Sequence, residues 1–193
     1  MGIEFELKYR ATPQALKELD QVVDGPRTVY EMATTYFDTP DGKLSARHYT
    51  LRCRMENDRA VCTLKTPAQG KGRREWELDC DNIQTAIEEL CKLDTPEDLC
   101  LLTAEGVIPI CGARFTRIAK LVQLPGCVVE LALDQGVLMG GGREIPLCEM
   151  EVELKEGAPA QCEQYARSLA QLFSLEPENK SKFRRAQLLY KGE

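Results

Sequence analysis

The sequence predicts an α+β fold: about eight mostly antiparallel strands with helices packed against them, a sheet that can close on itself and put charged side chains in a lumen. Three observations carry this reading. Apolar and charged residues alternate along most extended segments, amphipathic helical stripes lie between and after them, and turn-forming clusters part them at short intervals. No repeat or linker breaks the 193 residues, a length within reach of one hydrophobic core, so residues 1–193 read as a single domain.

The first strand covers residues 3–10, where Ile3, Phe5, Leu7 and Tyr9 alternate with Glu4, Glu6, Lys8 and Arg10. Thr12-Pro13 opens a helix to about Val23, with Ala15, Leu16, Leu19, Val22 and Val23 on one stripe, and Asp24-Gly25-Pro26 ends it. A strand over residues 27–37 runs into the turn-rich Asp38-Thr39-Pro40-Asp41-Gly42. Residues 49–56 and 59–65 read as a hairpin over Asn57-Asp58. Beyond Gln69-Gly70-Lys71-Gly72, residues 73–80 alternate again, followed by a helix near 83–93 and a short one within 96–104. Strands over 113–124, 126–134 and 143–155 complete the eight, parted by Leu124-Pro125-Gly126 and Gly140-Gly141-Gly142, and helices over 159–173 and 182–190 follow.

Composition narrows the function classes. With 25 Lys and Arg against 31 Asp and Glu the net charge is −6, which argues against a dedicated nucleic-acid binder. No apolar run approaches the roughly 20 residues of a membrane helix. The opening MGIEFELKYR places charges where the apolar stretch of a signal peptide would lie, so a cytoplasmic protein, monomer or homodimer, is expected. His48 is the only histidine, which excludes two-His metal motifs and leaves oxygen ligands for any metal. The nine cysteines, odd in number and without a CxxC pair, read as reduced, buried thiols acting as small hydrophobes.

The charged faces are the feature that points to chemistry. Glu4, Glu6 and Lys8 share one strand face; Arg52 and Arg54 share another, as do Arg73, Glu75 and Glu77, then Glu130 and Asp134, then Glu149, Glu151 and Glu153. On one strand alone such a face meets water. A sheet of eight strands tends to curl and close, and with helices outside, closure turns these faces inward. With Lys65 the interior then holds nine acids and at least five bases, so such a lumen must be wet and offset by opposite charges or bound ions. Its complement is a polyanion gripped by Arg and Lys and bridged to the carboxylates by a hard divalent cation.

Glu4-Phe5-Glu6-Leu7-Lys8 resembles the ExExK signature of the CYTH superfamily, the triphosphate tunnel metalloenzymes. The resemblance continues in order through Tyr36-Phe37-Asp38-Thr39, Leu51-Arg52-Cys53-Arg54, Thr63-Leu64-Lys65, Arg73 to Glu77, Phe115-Thr116-Arg117, Glu130 to Gly136, Cys148 to Leu154, and Ser181-Lys182. It implies a closed eight-stranded antiparallel β-barrel forming a tunnel, with helices outside and charged residues in the lumen. It also implies a metal-dependent hydrolase that splits inorganic triphosphate into pyrophosphate and phosphate with Mg²⁺ or Mn²⁺, acting on a small polyphosphate and engaging neither nucleic acid nor membrane. Ala132 to Gly136 followed by Cys148 to Leu154 resembles the bacterial inorganic triphosphatases within that superfamily. Thiamine triphosphatase and class IV adenylyl cyclase are the enzymatic alternatives, and a non-catalytic polyphosphate or nucleotide sensor is the rival of another class.

Position by position, the resemblance implies a phosphate grip of Lys8, Arg52, Arg54, Lys65, Arg73, Arg117 and Lys182. It implies metal ligands Glu4, Glu6, Asp134, Glu151 and Glu153, with Glu75, Glu77, Glu130 and Glu149 as outer or water-orienting carboxylates. Lys8, Arg52, Arg54, Lys65 and Glu75 form the expected catalytic set. Arg114 and Lys120 rival Arg117 for the lumen, and Lys180 rivals Lys182.

Overall fold

The computed structural model describes residues 2–68 and 73–193, residues 2–4 by backbone alone. Its strands are β1 (Gly2–Glu4), β2 (Glu6–Arg10), β3 (Arg27–Asp38), β4 (Thr50–Glu56), β5 (Arg59–Pro67), β6 (Arg73–Asp79), β7 (Ile108–Leu124), β8 (Cys127–Gly140), β9 (Arg143–Gly157) and β10 (Glu176–Pro177). They form one antiparallel sheet in the order β1-β6-β5-β4-β3-β7-β8-β9-β2-β10. The expected eight strands thus become ten among the described residues: Phe5 splits the first in two, and Glu176–Pro177 adds a short partner for Tyr9 and Arg10. That split matters for topology. β1 pairs with β6 at one end of the strand order, while β2, one residue further on, pairs with β9 near the other.

The helices are α1 (Pro13–Val22), α2 (Lys43–Ala46), α3 (Ile83–Leu90), α4 (Leu99–Leu102), α5 (Pro159–Leu172) and α6 (Lys182–Lys191). Thr12 caps α1 by accepting from the Ala15 N–H, with Pro13 preset for the first turn. At its other end Lys120 Nζ donates to the carbonyls of Asp20 and Val23, satisfying acceptors that the helix leaves open.

The apolar strand faces are covered as their alternation requires. Leu16 and Leu19 of α1 and Cys162, Ala166 and Leu169 of α5 pack on Tyr9, Val129, Leu131, Leu133, Met150 and Val152. Ile87, Leu90, Leu99 and Leu102 from α3 and α4 cover Leu51, Leu64 and Trp76. Each such side chain contributes roughly 2 kcal/mol on burial, which fixes which face of every strand is left for charge. One helix departs from the outside packing expected. The first turn of α6 enters the charged side, where Phe183 lies 5.1 Å from the Tyr36 ring and Ala186 is buried with Met32 and Phe115.

The cysteines correct a second expectation. Four of the nine form disulfides, Cys53–Cys62 and Cys91–Cys100, and Cys80, Cys111, Cys127, Cys148 and Cys162 are free thiols. Cys53 and Cys62 are directly opposed across β4 and β5, with Cα atoms 4.2 Å apart. Strand alternation alone hides such a pair until the register is known. No helix among the described residues is long and apolar enough to cross a membrane.

Candidate active site

The charged faces surround a cavity of about 360 Å³. β2 supplies Glu6 and Lys8, β4 Arg52 and Arg54, β5 Lys65, and β6 Arg73, Glu75 and Glu77. From the other half come Arg117 of β7, Glu130 of β8, Glu151 and Glu153 of β9, and Lys182 of α6. Asp134 and Glu149 are fully buried and bonded to these lining groups. All of the expected site residues are therefore brought together except Glu4, whose side chain lies outside the described residues.

One part of the cavity is predominantly basic. Lys65 Nζ lies 3.2 Å from Glu75, and Arg52 lies 3.7 Å from Glu75 and 4.0 Å from Glu77. Arg54 pairs with Glu56, while its buried Nε has no hydrogen-bond partner among the described residues. Burial first, then the neighbouring Arg52 charge, pulls the Arg54 guanidinium below its ordinary pKa. Two arginines held side by side by the two-residue period of one strand make a strong local positive potential. Arg73 has a bracing part in this group: its Nη2 donates to Thr50 Oγ1 at 3.1 Å, His48 O at 2.8 Å and Lys65 O at 3.1 Å.

A second part is a buried ion network. Arg117 grips Asp134 with two parallel bonds of 2.7 Å and reaches Glu151 at 2.5 Å. Carboxylate oxygens of Asp134, Glu149 and Glu151 lie within 4.8 Å of one another, a donor set suited to a cation. The Lys182 ammonium stands among them, 2.7 Å from Asp134, 2.8 Å from Glu151 and bonded to Glu149. Arg185 also bonds Glu149 and leads outward to Glu178, which takes a 2.7 Å bond from Arg10.

The electrostatics follow from this packing. Burial opposes the charged form of Lys182, but Asp134, Glu151 and Glu149 outweigh it and raise its pKa. Burial also opposes the Glu151 carboxylate, and Lys182, Arg117 and Lys8 outweigh it to hold its pKa well below the ordinary range. For Glu149 burial wins, helped by the Glu151 charge, and its pKa is raised in spite of Lys182 and Arg185.

A third part is a carboxylate row across three strands, since Glu6 is opposite Glu153 and Glu153 opposite Glu130. Lys8 Nζ bonds Glu6 at 2.6 Å; Lys155 lies 3.0 Å from Glu153 and 3.9 Å from Glu130. Beside it Tyr30, Met32 and Phe115 make an apolar stretch of wall.

The rivals for the lumen are settled by the same geometry. Arg114 pairs with Glu144 on the exposed side, Lys120 turns to the end of α1, and Lys180 is exposed, so Arg117 and Lys182 are the cations that enter. Arg185, Lys155 and Glu56 were not anticipated. Each had a signal: Lys155 and Glu56 continue the two-residue period of β9 and β4, and Arg185 follows Lys182 by three on one helix face.

A sequence profile of the CYTH domain matches residues 2–186. The inorganic triphosphatase of Haemophilus influenzae is 32% identical over 165 residues, covering 80% of this chain and 46% of that protein. The chain thus spans about half the length of that curated relative. Among solved structures, PH1819 of Pyrococcus horikoshii OT3 aligns over 98% of this chain and 99% of its own, with TM-score 0.65 and 20% identity. HpAC1 of Hippeastrum, a candidate adenylyl cyclase described as having a dominant triphosphatase activity, aligns over 100% and 96% with TM-score 0.63 and 18% identity. These structural likenesses agree in fold, and with the profile match over nearly the whole length they establish that the chain belongs to the CYTH domain family.

Proposed function

We propose that this chain hydrolyses inorganic triphosphate to pyrophosphate and phosphate inside a tunnel closed by the first strand segment, whose halves β1 and β2 pair at β6 and β9. The observation that carries the reading is one cavity holding both Arg52 and Arg54, the latter with a buried Nε that has no partner among the described residues, and the carboxylate row Glu6, Glu153 and Glu130. Guanidinium forks suit phosphate oxygens, and a row of carboxylates suits a hard divalent cation. The identity to the Haemophilus inorganic triphosphatase supports the same substrate class.

In this reading Arg52, Arg54, Lys65, Lys8 and Lys182 hold the phosphate chain, and Arg73 keeps Lys65 and Thr50 in place. Glu75, beside Lys65 and Arg52, orients the water that attacks the terminal phosphorus, with Glu77 next to it. Glu6, Glu130, Glu151 and Glu153 line the same cavity and would be the oxygen donors for Mg²⁺ or Mn²⁺. When bound there, such an ion would neutralise charge on the phosphate oxygens. Asp134, fully buried and gripped by Arg117 and Lys182, serves those two cations rather than an ion of its own. No covalent intermediate is needed, since positioning and charge stabilisation supply most of phosphoryl-transfer catalysis.

A second reading, an organic triphosphate such as thiamine triphosphate or ATP, is favoured by the wall of Tyr30, Met32 and Phe115, which could pack on a ring. A phosphate-release panel of tripolyphosphate, thiamine triphosphate and ATP, with Mg²⁺ or Mn²⁺ and with chelator, decides between them. Tripolyphosphate should lead in kcat/KM by about tenfold or more, with activity abolished by chelator. Faster hydrolysis of thiamine triphosphate, or conversion of ATP to cyclic AMP, would overturn the assignment. Binding of tripolyphosphate without turnover would instead favour a sensor.

A further inference from the structure

The Asp38-Thr39 pair belongs to the family-like pattern, yet both residues are buried outside the cavity lining and take no part in the chemistry above. Asp38 accepts from the N–H groups of Thr39 at 2.8 Å, Leu44 at 2.9 Å and Ser45 at 3.2 Å, and from the Ser45 hydroxyl. With its proton committed to Asp38, the Ser45 oxygen has lone pairs left, and Gln187 Nε2 of α6 donates to it at 2.6 Å. Gln187 Oε1 in turn accepts from Arg184 at 2.8 Å, so the amide is held at both ends. Gln187 is 4% exposed. An apolar residue would serve burial there as well, so the amide's value lies in direction.

Direction is what α6 otherwise lacks on this side. Phe183, Ala186 and Leu189 hold it through apolar contacts, which do not fix rotation or sliding. Its other directional anchors are Lys182 and Arg185 on the buried acids and, near its C-terminal end, Arg143, which donates to the Leu189 carbonyl. A phosphate chain entering the cavity competes with those carboxylates for Lys182, loosening that anchor at the moment when the helix must stay in place.

We infer that Ser45 and Gln187, backed by Asp38, form a latch that fixes the depth at which α6 presents Lys182 to the phosphate chain. They are positioning residues, and the inference rests on the phosphate-binding role proposed for Lys182.

The test is a double-mutant cycle read in tripolyphosphate Kd by titration calorimetry and in KM and kcat. Ser45→Ala and Gln187→Leu should each weaken Kd and raise KM about tenfold while kcat changes less than threefold. In a Lys182→Gln background the same substitutions should alter Kd less than twofold, because the group they position is gone. Ser45→Thr, which restores the hydroxyl, should return Kd to within threefold of wild type. Latch variants that lower the melting temperature but leave Kd unchanged, or effects that multiply undiminished in the Lys182→Gln background, would overturn the latch. Should that background not fold, the single variants and the Ser45→Thr rescue decide. A wild-type protein that binds tripolyphosphate without hydrolysing it sinks the triphosphatase reading and leaves the cycle in Kd to judge the latch; one that does not bind it at all overturns both.

Discussion

Lys182 Nζ lies 2.7 Å from Asp134 Oδ2, so the last helix of the chain supplies the cation for an acid at the centre of the long β7–β8–β9 hairpins. Three carboxylates, Asp134, Glu149 and Glu151, meet Lys182, Arg117 and Arg185, and the charges balance only with all three cations present.

Lys182→Met should therefore cost about 3 kcal/mol of unfolding free energy, because a buried acid cluster is left short of one partner. The urea midpoint should fall with an unchanged slope. A loss below about 0.5 kcal/mol would show that the cluster does not depend on this lysine.

The two kinds of carboxylate should separate on mutation. Glu6→Gln and Glu151→Gln should each lower tripolyphosphate turnover by about a hundredfold or more at saturating Mg²⁺ or Mn²⁺. Only Glu151→Gln should also cost about 2 kcal/mol of stability, since it takes a partner from both Arg117 and Lys182. Equal melting temperatures for the two variants would contradict the division.

Acid sensitivity should trace in part to Glu178. Burial works against its charge, yet the bond from Arg10, the Lys180 N–H and the Arg185 charge together hold its pKa below the ordinary value. The unfolded chain therefore binds the proton more readily, and stability rises with pH through that range. The contribution is fully present above the pKa of an ordinary Glu carboxyl and is lost as pH falls through the depressed folded-state value. At pH 7 Glu178→Gln should cost about 2 kcal/mol, and the gap from wild type should narrow as pH is lowered through and below the ordinary Glu range. A gap that stays constant across this range would rule the account out.

Gly136 is required by close approach. A Cβ there would sit 2.1 Å from the Arg114 carbonyl oxygen and 2.6 Å from Phe115 Cβ, on the strand that carries Arg117. Gly136→Ala should destabilise by about 3 kcal/mol and raise KM for tripolyphosphate by displacing β7. A variant with wild-type melting and KM would show that the hairpin relaxes freely.

The faces of the sheet were legible in the sequence because alternation is local: Glu6, Lys8, Arg52 and Arg54 turn inward whatever their neighbours do. Pairing across strands is not local. That Glu6, Glu153 and Glu130 form a row, and that Arg117 opposes Asp134, depends on registers set by hairpins far apart in the chain. The same limit hid the Cys53–Cys62 bond, where each cysteine by itself looked like a small core residue. The helical period identified α6 with its correct start, but not that its first turn would leave the outside and carry Lys182 into the acids.

The pairing of β2 with β9 also bears on how the molecule is made. Glu6 to Arg10 leave the ribosome about 140 residues ahead of their partners Glu149 to Glu153. Until then Leu7 and Tyr9 belong to an open strand edge, a shape that invites association between chains. Glu6, Lys8 and Arg10 place a charge at every second position of that waiting strand, and such charges discourage strand-to-strand aggregation. Two of these three, Glu6 and Lys8, are also residues that line the finished cavity.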